Sequence, residues 1–164
     1  MLLLSSSRGR QEETEHMRYL LVDRITEWKE NEQIKGAKNV AMTEDFLEFH
    51  FPGNPIMPGV LLLEALAQLT GWLVAASSDF NDWFLLDKVT LCKFYGFALP
   101  GDQVVLEVKA VEGKEPGKRS YSATGLVEGK RKIVAEFEGN VVPLDSIEDR
   151  PAQMKFFKVL TRSQ

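Results

Sequence analysis

From Ile56 to Ala76 the chain is so apolar that few architectures can hold it. In the part that reads GVLLLEALAQLTGWLVAA, from Gly59, large apolar side chains recur at every helical phase and not along one stripe. A helix that is hydrophobic all round must be covered on all sides, by lipid or by protein. Its length would suffice for a membrane span. Glu64, Gln68 and the prolines and glycines near its start argue against one. No membrane span is therefore expected, and the run reads as a buried core helix from Gly59 to about Ala76.

The flanking segments supply the cover. Tyr19 to Trp28 and Gln33 to Met42 alternate as strands, with Asn31 in the turn between them. Thr43 is placed to cap a short helical turn through Phe49. Beyond the long helix, Trp83 to Phe94, Asp102 to Val111, Arg119 to Val127 and Arg131 to Val142 read as four more strands. Pro100-Gly101-Asp102 marks one turn and Glu128-Gly129 a tight hairpin. Two strands, one long helix and four strands predict an α+β chain, with an antiparallel sheet curled around the helix. That is the hotdog architecture. The expected organisation is a loose tail over 1–17, the domain over 18–144 and an appended segment over 145–164.

Composition narrows the function. In 164 residues the formal net charge is −4, which disfavours nucleic acid as a partner. A single cysteine, Cys92, excludes an internal disulfide framework, and two histidines make a histidine-based zinc site a poor reading. These counts fit a cytoplasmic setting. Leu2 to Leu4 is too short for a signal segment. His16, among charges, reads as solvent-exposed.

The chemistry concentrates in HFPGNPIMPGVLLLEALAQ, His50 to Gln68. Pro52, Pro55 and Pro58 stiffen and extend the loop, which suits it to hold His50 in one place. Histidine titrates near neutrality and is the common general base. Gly59 opens the helix, where N–H groups lack internal partners and a developing oxyanion would be stabilised. The bland alternative is that Gly59 only eases the turn. Glu64 lies too deep in the helix to cap it, among leucines and alanines. Burial there would raise its pKa toward a general acid's range. Its bland alternative is a narrow solvated stripe shared with Gln68.

That motif resembles the beta-hydroxyacyl-acyl carrier protein dehydratases of the FabZ type. LLVDRI (Leu20 to Ile25), AKNVAMTEDF (Ala37 to Phe46) and PGDQVVLEV (Pro100 to Val108) support the resemblance, which runs from about Arg18 to Val142. It implies a hotdog homodimer, usually assembled as a hexamer from three dimers, with each site built across the dimer interface. By position, His50 matches the catalytic histidine and Glu64 the catalytic acid of the other protomer. Gly59 and Val60 match the residues whose N–H groups bind the thioester carbonyl, and Gln68 one that orients the acid or a water. The substrate would arrive on the phosphopantetheine arm of acyl carrier protein. No cofactor and no metal are implied. Glutamate at position 64 fits the FabZ type, since the related FabA-type dehydratase-isomerases carry aspartate.

The chain departs from that pattern in three places. HMRYLLVDR lacks the usual proline. Tyr95, Gly96 and Phe97 stand where basic residues and proline are typical, near the acyl tunnel and docking surface, so a changed acyl preference is expected. The segment with Lys155, Phe156, Phe157, Lys158 and Arg162 lies past the usual end, as an amphipathic helix covering the sheet or as basic docking charge. Two rival functions share the fold: an acyl thioesterase, and a non-catalytic acyl-chain-binding protein.

Overall fold

The computed structural model describes residues 19–113 and 116–163. The expected tail over 1–17, with His16, lies outside them. Six strands form one antiparallel sheet: β1 (Arg24–Lys29), β2 (Gln33–Asn39), β3 (Asp82–Phe94), β4 (Gln103–Val111), β5 (Arg119–Val127) and β6 (Lys130–Pro143). Their spatial order is β1-β2-β4-β5-β6-β3, so β1 and β3 are the edges. A short helix α1 (Phe46–Phe49) precedes the long helix α2 (Gly59–Ser77), and α3 (Arg150–Thr161) closes the chain.

The sheet curls around α2, which packs against β2 to β6. Inward residues alternate along the strands, as a one-sided sheet demands. Ile34, Leu106, Val108, Ile133, Ala135 and Phe137 join Leu62, Leu66, Leu69 and Leu73 of α2 in one buried cluster. By length and composition α2 could cross a membrane, yet most of it is buried inside the protein. At Gly71 the packing is so close that a Cβ would lie 2.3 Å from the Trp83 indole.

Turn chemistry follows the sequence. Glu128 and Gly129 both have positive φ, 50° and 74°, which gives the two-residue I′ loop that suits a twisted hairpin. At the second turn Asp102 N–H donates to Leu99 O at 3.0 Å, with Gly101 at φ 94°. Pro100 then sits at the first central position and glycine at the second, as a type II turn requires.

Three local expectations are corrected. The first strand begins at Arg24 and not at Tyr19. The Gln68 side chain takes the Leu21 N–H and the Tyr19 carbonyl, so the stretch bonds to α2 first and reaches β2 only at Asp23, whose N–H donates to Ala37 O. The second strand ends at Asn39, because Val40 N–H turns to the Asp102 carbonyl. Thr43 caps nothing; α1 begins after Asp45, with no side-chain cap.

The appended segment is the amphipathic helix α3. Asp149 caps it through Ala152 N–H at 2.9 Å. Phe157 packs 6.0 Å from Trp28 of β1 and 5.8 Å from Trp72 of α2, while Lys155, Lys158 and Arg162 face solvent.

Candidate active site

His50 follows α1 and is fixed from two directions. Its own N–H donates to Phe46 O, and its carbonyl accepts the Ile56 N–H at 2.9 Å. Its Nδ1 lies 3.1 Å from the Ile56 carbonyl. A carbonyl can only accept, so in the neutral ring Nδ1 carries the proton and Nε2 the lone pair. The ring stacks on Phe51 at 4.1 Å. Between these ends, Phe51 and Asn54 exchange N–H···O bonds around Gly53, whose φ is 78°. Met57 N–H then ties the loop to Ala98 O at 2.9 Å.

The loop delivers the chain into α2 with no capping side chain. Leu61 N–H reaches back to Pro58 O, whereas Gly59 and Val60 N–H have no protein acceptor among the described residues. These are two of the orphan donors at a helix start, where partial positive charge also gathers. They open on a cavity of about 610 Å³ that His50, Gly59 and Val60 line together with Phe94, Tyr95 and Phe97. A Cβ on Gly59 would lie 2.7 Å from the Phe94 ring, so glycine lets that ring close against the helix start. A histidine and two free backbone donors thus line one mostly apolar chamber.

Glu64 is elsewhere. It was expected among buried neighbours, but in this chain its side chain is exposed, and Val60 one turn earlier is 66% exposed. The curled sheet stops at β3 and leaves this face of α2 bare. Gln68 Nε2 donates to Glu64 Oε1 at 3.0 Å and also to Tyr19 O, while Gln68 Oε1 accepts the Leu21 N–H. Gln68 therefore holds the Glu64 carboxyl group and has its own amide orientation fixed by the backbone.

Of the five residues expected at the site, one chain brings His50, Gly59 and Val60 into one chamber. Glu64 and Gln68 form a second group outside it. Ile56 carried no signal in the sequence, since its backbone and not its side chain makes the contacts. Phe94, beside the three flagged residues, could have been found from its place at the end of an apolar strand.

The FabA-like domain family matches residues 14–146. A 3-hydroxyacyl-[acyl-carrier-protein] dehydratase FabZ of Geobacter metallireducens is 42% identical over 132 residues, covering 79% of this chain and 87% of that protein. A protein of the same name from Aliarcobacter butzleri is 40% identical over 129 residues, covering 75% and 87%. Among solved structures, the hot-dog-like protein of Thermanaerovibrio acidaminovorans superposes with TM-score 0.57 at 16% identity, covering 74% of this chain and 89% of that one. The dehydratase heterocomplex ApeI:P of Xenorhabdus doucetiae gives 0.54 at 15% identity, covering 70% and 92%. At such low identities the two structures speak for the hotdog fold alone. With the family match running from the residues before β1 to the end of the sheet, the chain belongs to the FabA-like family, among its FabZ-type members.

Proposed function

We propose that the protein is a 3-hydroxyacyl-[acyl-carrier-protein] dehydratase that eliminates water to give the trans-2-enoyl thioester in fatty acid or related acyl-chain biosynthesis. The observation that carries this reading is the chamber that His50 lines together with Gly59 and Val60, whose N–H groups have no protein acceptor among the described residues. The thioester carbonyl accepts from those N–H groups, which stabilises the charge that develops as the C2 proton leaves. His50 Nε2 takes that proton. Glu64, protonated, gives its proton to the departing C3 hydroxyl, and water leaves as the C2–C3 double bond forms. Gln68 holds the acid toward the reaction. As written, the step is proton transfer and electrostatics alone and needs no cofactor.

Glu64 reaches this chamber from a second copy of the chain. In support, it lies on the uncovered face of α2, and the neighbouring edge strand β3 exposes Leu85, Leu86, Val89 and Phe94. Apolar side chains along an unpaired edge mark a contact surface. Pairing there gives a homodimer, and three such dimers give a hexamer. The acyl carrier protein docks at the mouth near Tyr95, Gly96 and Phe97, whose departure from the basic and proline pattern alters the acyl shapes accepted. The setting is the cytoplasm.

The test is turnover of 3-hydroxyacyl carrier-protein thioesters, read as enoyl absorbance. His50→Ala and Glu64→Gln should each lower it at least about a hundredfold with folding intact. Mixing the two inactive variants should recover part of the activity, because a mixed pair holds one intact site. Release of free thiol without enoyl product makes the protein a thioesterase instead, and no recovery on mixing places both groups in one chain.

A further inference from the structure

A second cavity, of about 350 Å³, opens on the far side of Gln68. Trp72, Trp83 and Phe156 form its walls, and Ile147 and Gln153 line it from the C-terminal segment. The family match stops at residue 146, so the outer wall belongs to the appended segment and not to the shared domain. Its shape is held firmly. Trp83 packs closely against Gly71, and Trp72 meets Trp83 at 5.1 Å and Phe156 at 5.8 Å.

We propose that this cavity receives the distal end of the acyl chain, so that α3 and Ile147 set which acyl tails the enzyme accepts. The inference rests on the dehydratase reading. Gln68 lines the cavity and also donates to Glu64, so the two are a single side chain apart. Glu64 must touch the C3 hydroxyl to protonate it. From C4 onward the chain therefore lies against the protomer that supplies Glu64, where Gln68, the hydrogen-bond partner of Glu64, opens on this cavity. Aromatic walls bury an alkyl tail favourably, because each methylene taken from water is stabilised. Gln153 is buried at 6% exposure and donates to Glu148 at 3.2 Å; both line the cavity, so the wall is polar on the side of the C-terminal segment and limits the tail that fits.

The experiment compares 3-hydroxybutyryl, 3-hydroxydecanoyl and 3-hydroxypalmitoyl carrier-protein substrates on wild type, Ile147→Trp and Phe156→Ala. Filling the cavity with Ile147→Trp should lower kcat/KM at least about tenfold on the long substrates, the scale of a lost pocket contact, and leave 3-hydroxybutyryl unchanged. Enlarging it with Phe156→Ala should raise the longest substrate relative to the shortest. Should Phe156→Ala fail to fold, Ile147→Trp decides alone. Unchanged length profiles, or equal losses at every length, overturn the inference. Wild-type protein that dehydrates none of the three overturns the dehydratase reading itself.

Discussion

Ile56 grips His50 at two points: its N–H donates to the His50 carbonyl at 2.9 Å, and its own carbonyl stands 3.1 Å from His50 Nδ1. A backbone amide therefore selects the imidazole tautomer. In the neutral ring the proton should sit on Nδ1 and the lone pair on Nε2. Nitrogen-15 NMR of the histidine-labelled protein should show that pattern, and a dominant Nε2–H form would remove His50 Nε2 as the base.

Gln68→Leu should separate orientation from binding. It takes a hydrogen bond from Glu64 and strands the Leu21 N–H and Tyr19 carbonyl. Hydrogen bonds to charged groups contribute about 1.5–3 kcal/mol, so kcat should fall roughly tenfold or more while KM changes little. Steady-state kinetics checks this. An equal rise in KM with kcat preserved would assign Gln68 to substrate binding.

Gly59→Ala sets a catalytic effect against a small structural one. The added methyl would meet the Phe94 ring at 2.7 Å, but that ring is 51% exposed and can swing away. Stability should stay within about 1 kcal/mol of wild type, the span of ordinary helix propensities. Turnover should fall much further, because the methyl and the displaced ring crowd the chamber where the thioester oxygen binds. Urea melts and kinetics on the same variant make the comparison.

Burial raises the Tyr121 hydroxyl above its ordinary value of 10.0, with Arg119 nearby opposing the shift. The folded state therefore keeps its proton at a pH where the unfolded chain gives it up. The neutral buried phenol contributes its full stability below the unfolded value, and that contribution is lost as pH rises through the folded one. Urea midpoints for wild type should thus drop steeply on the alkaline side of that value. Tyr121→Phe, packed by the same Phe84 and Phe137, should drop less. Identical slopes would show that other groups govern alkaline unfolding.

Much of this was legible in the chain. The all-round apolar helix required a cover, and the strand periodicity identified a curled antiparallel sheet as that cover. Arg119–Val127 is a strand over the expected residues, since its alternation is strict. The exposure of Glu64 was legible only as the alternative of a narrow stripe with Gln68, and the reason is physical. The face of α2 left bare carries Glu64 and Gln68 but also Val60, Leu61 and Leu63, so its periodicity is weak. Only the width of the sheet, which ends at β3, decides which face stays uncovered. The late start of β1 was hidden for a similar reason. Tyr19 to Asp23 alternate like a strand, but a glutamine some 47 positions later takes the Leu21 N–H.

The two edges of the sheet are unlike. β1 is short, rich in charge and packed at Trp28 by α3, whereas β3 runs for 13 residues with apolar side chains exposed. A sheet with one obstructed end and one adhesive end can be extended only once. Two copies joined through β3 leave obstructed ends facing outward, so growth by strand addition terminates at a pair and fibres cannot propagate through the sheet.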